Sequence, residues 1–365
     1  MHWENMSARV MRNPDRVLPP QSAEIEEHLP IRYVRTDFHV AAPVPVQEGI
    51  VLLRLPLPLA LNHINTYLLD EDDGWTLIDC GLDCEPARQA WEAALASPLL
   101  AGRPVRRILV THHHPDHIGL AGWLSKRFDA PLSITAGEYL VAGRYSDPGR
   151  DIVSERLGFW REHGLPEDIA SWLMQRMPRY SKHVHALPGN VDFLSLKEPL
   201  RLGDRTWQPI IGRGHSPEHL SLFAASTDVL ISGDQILPEI TPNIAVWPGG
   251  DMNPLQSFLD TLDKFTGLGG DPLVLPSHRQ PFRGLVQRVA EFRHHHEQRL
   301  RHVAEACVKP MTCFEALPAL FGRPLRNEEL GFGLGEGVAH LNYLEGRGAL
   351  SSTFDEHGAR RYSAA

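Results

Sequence analysis

Cysteine is scarce: Cys80, Cys84, Cys307 and Cys313 are the only four in a chain of 365 residues. Four so scattered cannot supply a disulfide framework at this length, and they fit a reducing compartment. Long apolar runs are also missing. The most apolar stretch, residues 49–61, is broken by Arg54, Pro56 and Pro58 and is too short to cross a bilayer. Residues 1–20 carry no continuous apolar segment of the kind a secretory signal needs. The sequence therefore reads as cytoplasmic, with no membrane partner. A basic excess is absent too. The formal charge is −9, which argues against general polyanion binding, because Lys and Arg supply non-specific nucleic-acid affinity. There is no internal repeat or low-complexity tract. What is present is a globular composition, 42% hydrophobic and 22% charged, long enough for one large layered core plus an appendage.

Residues 1–43 are proline-punctuated and show no sustained period, which predicts an extension laid over the domain. From Gly49 onward, short apolar runs separated by turn residues (IVLLRL, NTYLLD, WTLIDCG) predict adjacent buried strands. Asp83 is placed to cap a helix through EPARQAWEAAL, and ILVTHH is the next strand, so strand and helix alternate. At residues 138–185 the spacing turns helical, with Ile169, Trp172 and Leu173 on one face, which predicts an inserted helical cap. Strands resume near residues 208–212, 219–224, 229–232 and 273–278. A charge-rich helix over residues 285–307 is expected on the outside of the sheet. After Pro310, Thr312 and Glu315 stand at capping-box spacing. A second helix follows near residues 328–344, and then a hairpin around TFDEHG. The chain thus divides into residues 1–43, a domain over 44–290 and a C-terminal region over 291–365.

The chemistry concentrates in ILVTHHHPDHIGL, where His112, His114, Asp116 and His117 follow an apolar strand. Imidazole nitrogen and carboxylate oxygen are the ligands a zinc-like ion takes, and the spacing lets His112 and His114 face one ion and Asp116 and His117 a second. Other histidines are weaker candidates. His294, His295 and His296 are consecutive on a helix and diverge, so they read as solvated surface. Cys80 and Cys84 lack a second pair, and Cys80 reads as core.

The order HxHxDH after such a strand resembles the signature of the metallo-β-lactamase superfamily. The resemblance runs over residues 49–285 and implies an α/β fold: a four-layer αββα sandwich, here with the helical insertion. It extends to His215 in GRGHSPEH, Asp234 in VLISGDQ, His278 in LVLPSHRQ and Asp79 in TLIDCG. By that resemblance His112, His114 and His215 hold one ion, Asp116, His117 and His278 hold the other, and Asp234 is shared. Asp79 would orient a ligand histidine, and His219 reads as structural. Two departures stand out: a long gap between His117 and His215, filled by the helical insertion, and Arg279 where many relatives have glycine. The C-terminal layout resembles the winged-helix-like appendage of the lactamase-beta-like group. Residues 311–365 nevertheless carry five arginines against seven carboxylates, a net −2, which is a poor footprint for duplex nucleic acid. A wall of the substrate cleft or a homodimer contact is the expectation instead.

The resemblance implies a hydrolase with two divalent ions, zinc first and iron or manganese as alternatives. The ions would generate the nucleophile while Asp116 handles its proton. His114 stands where diiron oxygen reductases carry glutamate, and Asp234 is typical of glyoxalase II-like members. The leading substrate is therefore a small (thio)ester such as an acyl-glutathione or acyl-CoA. The alternative is a phosphodiesterase or endoribonuclease acting on single-stranded nucleic acid. A third class, a metal-bearing protein without turnover, finds no support, since no ligand is lost. Trp172, Met174, Met177 and Tyr180 with Arg176, Arg179 and Lys182 on the cap, and Trp247 after Asp234, are candidate substrate contacts.

Overall fold

The computed structural model describes residues 30–34, 37–59, 61–176 and 179–365. Most of the N-terminal extension, and Met177 of the cap, lie outside the described residues. A two-residue strand, β1 (Arg32–Tyr33), pairs with a strand reached only late in the chain. The next seven strands form one sheet in chain order: β2 (Val44–Gln47), β3 (Ile50–Pro56), β4 (His63–Glu71), β5 (Gly74–Ile78), β6 (Val105–Leu109), β7 (Leu132–Ile134) and β8 (Val191–Phe193). Antiparallel pairing gives way to parallel pairing from β5 onward, where helices supply the crossovers. The second sheet is built from β9 (Leu200–Leu202), β10 (Arg205–Gly212), β11 (His219–Ala224), β12 (Val229–Gly233), β13 (Leu273–Pro276) and β14 (Phe282–Arg283), with β1 at its edge.

Alternation explains how the sheets stack. Along β3, Ile50 and Leu52 face a core shared with Leu220, Leu222, Ile231 and Leu275 of the second sheet. Val51, Leu53 and Leu55 face Trp91 and Leu124 of the outer helices. Both faces of the strand are buried, so it reads as a continuous apolar run while its side chains still alternate. The outer face of the second sheet packs on the helix Leu285–Ala306, giving the four layers.

Two expectations need correction, the Asp83 cap and the solvated His296, while the long helix lies where it is expected. Asp83 does not cap the helix Glu85–Leu95: Cys84 holds the cap position without a side-chain bond, and Arg88 engages the Asp83 carboxylate at 2.7 Å. The helix Leu285–Ala306 lies outside the sheet but is itself covered, since Phe292, Leu300 and Val303 share a core with Leu334 and Val338 of the helix Asn327–Gly346. For the same reason His296 is not solvated. It is fully buried, with Nδ1 3.2 Å from His340 Nε2.

The insertion between β7 and β8 comprises the helices Ala136–Ser146, Ile152–Glu162 and Glu167–Arg176. Trp160, Leu165 and Leu173 join the same core as the C-terminal Leu317 and Leu334, so cap and C-terminal region are packed together. In that region β15 (Met311–Thr312) leads into the Thr312–Glu315 capping box, which forms, and two helices then precede the hairpin of β16 (Leu350–Phe354) and β17 (Arg360–Ala364), to which β15 adds a third strand. Among the described residues no helix is long and apolar enough to cross a membrane.

Candidate metal centre

Four strand ends and the loops after them deliver the site. The loop after β6 carries His112, His114, Asp116 and His117. The loop between β10 and β11 carries His215, the end of β12 is followed by Asp234, and the end of β13 by His278. Ligand sites of sheet proteins gather at such carboxyl ends because loops there can converge without interrupting the ladders.

The structure brings all seven side chains together. His112 Nε2 lies 2.8 Å from His114 Nδ1 and 3.2 Å from His215 Nε2. His278 Nε2 lies 3.3 Å from Asp116 Oδ2. Asp234 stands between the two groups: Oδ2 is 3.5 Å from both His117 Nε2 and His215 Nε2, and Oδ1 is 3.5 Å from His278 Nε2. The donor atoms of three sets lie within 4.8 Å of one another: His112, His114 and His215; His112, His117 and Asp234; Asp116, His117 and His278.

The imidazoles are oriented from behind. His117 Nδ1 donates to Asp79 Oδ2 at 2.8 Å, His215 Nδ1 to the Asn243 carbonyl at 3.0 Å, and His278 Nδ1 to the His63 carbonyl at 2.9 Å. Thr111 Oγ1 donates to Asp79 and so accepts from His112 Nδ1 at 3.1 Å. In each of the four the outward bond takes the ring proton and leaves the Nε2 lone pair facing inward. His117 Nε2, His278 Nε2 and Asp234 Oδ1 are buried with no hydrogen-bond partner. Buried acceptors without donors are costly, and a cation among them satisfies them together. The donor set fits divalent zinc-like ions.

The electrostatics agree. Burial lowers the pKa of His112 and His114, and neighbouring imidazoles lower them further. Burial would lower His117 and His278 as well, but Asp234 and the other carboxylates outweigh it. His278 is drawn up to about 10, and His117 rises well above its ordinary value. The carboxylates thus demand positive charge in the cluster.

His219 sits under the site rather than in it: its Nε2 accepts from the Asp234 amide at 3.0 Å. Gly233 permits that approach, since a Cβ there would stand 2.5 Å from the His219 ring. Of the substrate contacts expected on the cap, Tyr180 is bonded to the loop that carries the histidines. Its hydroxyl donates to the His113 carbonyl at 2.6 Å. Trp172 packs on the core under the guanidinium of Arg176, 4.4 Å from its ring centroid, and Arg179 is exposed. Trp247 stacks edge-on against Phe332 of the C-terminal helix, whose Gly335 carbonyl accepts from Val246 N at 3.0 Å. The C-terminal region therefore lies along the loop that leaves Asp234. Sequence reasoning missed His63 and Asn243, whose carbonyls orient rings distant in the chain, and Thr111, which sits beside His112 but acts there through its bond to the distant Asp79.

The chain matches two family descriptions. The metallo-beta-lactamase superfamily model matches residues 60–278, and the C-terminal domain of metallo-beta-lactamase-like proteins matches residues 300–365. A beta-lactamase domain protein of known structure from Burkholderia ambifaria is 38% identical, with a TM-score of 0.85 over 92% of this chain and 98% of that one. A metallo-beta-lactamase family protein from Thermus thermophilus is 29% identical, with a TM-score of 0.76 over 88% and 100%. The Bacillus subtilis protein YqjP, named a probable metallo-hydrolase, is 25% identical over 84% of this chain and 96% of its own.

Proposed function

Because the chain belongs to the metallo-beta-lactamase superfamily, we propose that it is a dinuclear metal-dependent hydrolase of a small (thio)ester, such as an acyl-glutathione or acyl-CoA. One observation carries the reading: four histidines donate Nδ1 outward and turn their lone pairs onto one another and onto Asp234. His112, His114 and His215 would hold one ion and Asp116, His117 and His278 the other, with Asp234 shared and Asp79 fixing the His117 ring. Held by these residues, two such ions would lower the pKa of a bound water toward neutrality and polarise the bond under attack. The Asp116 carboxylate takes the proton released by the attacking water and returns it to the leaving sulfur. Trp247 and Tyr180 would contact the acyl part of the substrate, and Trp172, Arg176 and Arg179 of the cap would offer an anion contact. The shared carboxylate Asp234 and the acidic chain favour a small acyl substrate over a polynucleotide.

The test is elemental analysis of the purified protein and of Asp234→Ala, followed by thioester hydrolysis with the same samples. About two zinc-like ions per chain, falling toward one with loss of hydrolysis in the variant, is the expected result. Two ions with every thioester untouched and single-stranded RNA cleaved would transfer the assignment to phosphodiester chemistry. A single iron with no hydrolysis would overturn it.

A further inference from the structure

Glu138 lies in the first turn of the helix Ala136–Ser146 and is wholly buried. Its two oxygens are divided between two loops. Oε2 accepts from the His113 amide at 2.9 Å and from His113 Nδ1 at 2.6 Å. Oε1 accepts from Ser216 Oγ and from the Glu218 amide, both at 2.7 Å. Four donors fill the lone-pair directions of one carboxylate. Burial alone would raise its pKa, but His113 and these hydrogen bonds bring it down to about 2, so the group is anionic.

The positions of those donors matter. His113 separates His112 from His114, and Ser216 follows His215, so Glu138 joins the two loops whose imidazoles His112 and His215 approach to 3.2 Å. A reciprocal tie reinforces the join, because the Gly137 amide donates to Glu218 Oε2 at 2.7 Å. A Cβ at position 137 would stand 2.6 Å from that oxygen and would push the Glu218 carboxylate aside, so the glycine leaves the room this contact uses. The other half of the centre is built differently: Asp79 sets His117 and the His63 carbonyl sets His278, with Glu138 bonded to neither.

We propose that Glu138 is a positioning residue that sets the separation of the His112–His114 loop from the His215 loop, and so selectively tunes the cation affinity of the three-histidine half. The proposal rests on the dinuclear reading above. It differs from a general role in folding because it confines the effect to one of two ions.

The test is a zinc titration against a competing chelator in the full chain, with Glu138→Gln and Ser216→Ala. Glutamine keeps the size, but its NH2 must face either the two His113 donors or Ser216 and Glu218, so one loop is released. One of the two zinc equivalents should weaken about 10- to 100-fold, the range usual when a group behind a ligand is removed. The other should hold, and the melting temperature should change little. Ser216→Ala should weaken the same equivalent by a smaller factor. Unchanged affinity for both equivalents in Glu138→Gln, or equal weakening of both, would overturn the proposal. Should Glu138→Gln not fold, Ser216→Ala decides alone, and wild-type affinity for both equivalents there overturns it. Wild-type protein that binds fewer than two zinc ions would instead sink the dinuclear reading.

Discussion

Arg279 adopts φ 71° directly after His278. For a residue with a Cβ that conformation costs about 1–2 kcal/mol, and it persists because the surroundings over-determine it. Arg54 Nη2 and Asn65 Nδ2 both donate to the Arg279 carbonyl, at 2.8 and 2.9 Å, and its amide donates to His63 Nε2 at 3.2 Å. A glycine would adopt this backbone without that cost, and arginine meets it under strain. The side chain recovers little, since its approach to Glu239 at 3.5 Å is solvent-screened. Two substitutions separate backbone from side chain. Arg279→Ala removes the ion pair and keeps the strain, whereas Arg279→Gly removes both. Glycine should be the more stable of the two variants by about 1 kcal/mol, read from denaturant midpoints. An alanine variant equal to or above glycine would show that the turn is not strained.

Elements differ in what their glycines do. Gly335 is buried in the helix Asn327–Gly346, and a Cβ there would lie 2.9 Å from the Val246 carbonyl oxygen. Gly158, in the cap helix Ile152–Glu162, is exposed with nothing within 4 Å of the same atom. Alanine favours a helix over glycine by about 0.8–1 kcal/mol, so Gly158→Ala should raise stability by roughly that amount. Gly335→Ala should lower it by about 1–3 kcal/mol through overpacking, because the loop bearing Trp247 must give way. Urea denaturation of both variants checks the pair, and equal signs would refute the packing argument. The same contact shows what the sequence could convey. The metal-competent residues were legible because HxHxDH is local and follows an apolar strand, and strand alternation with buried runs announced the two sheets. Burial of His296 was not legible: helical spacing shows that three consecutive histidines diverge but not that a second helix covers one of them. Glu138 escaped for a related reason, since its donors at 113, 216 and 218 are distant in the chain. The Asp83 cap failed because Arg88, one turn along, competes for the carboxylate.

Across the whole molecule, the core that joins cap, long helix and C-terminal region holds three buried imidazoles. His163 is lowered to about 4 by burial and by Arg360. His340 is lowered to about 3 by burial, with Arg299 and His295 adding to it against a bond to the Glu336 carbonyl. His296 falls well below 6.5 through burial, His340, His295 and Arg299. These groups stay neutral in the folded chain and gain a proton near 6.5 when it unfolds. Their contribution is complete above pH 6.5 and is lost as pH falls from 6.5 toward 4, because the unfolded state then binds more protons. Each withheld proton costs about 1.4 kcal/mol per pH unit in that window. Glu336, raised by burial against the pull of Arg299, acts in the opposite sense, since below its raised value the folded state binds the extra proton. Metal ligands also protonate in acid, so the total slope mixes several causes, but a variant in the distant core isolates one of them. His340→Gln leaves the centre intact and removes one titrating group, so between about pH 5.5 and 4 its stability should fall less steeply than wild type by about 1.4 kcal/mol per unit. Denaturation at half-unit pH steps on both proteins measures the difference, and parallel slopes would mean that His340 reaches solvent and takes up its proton without unfolding.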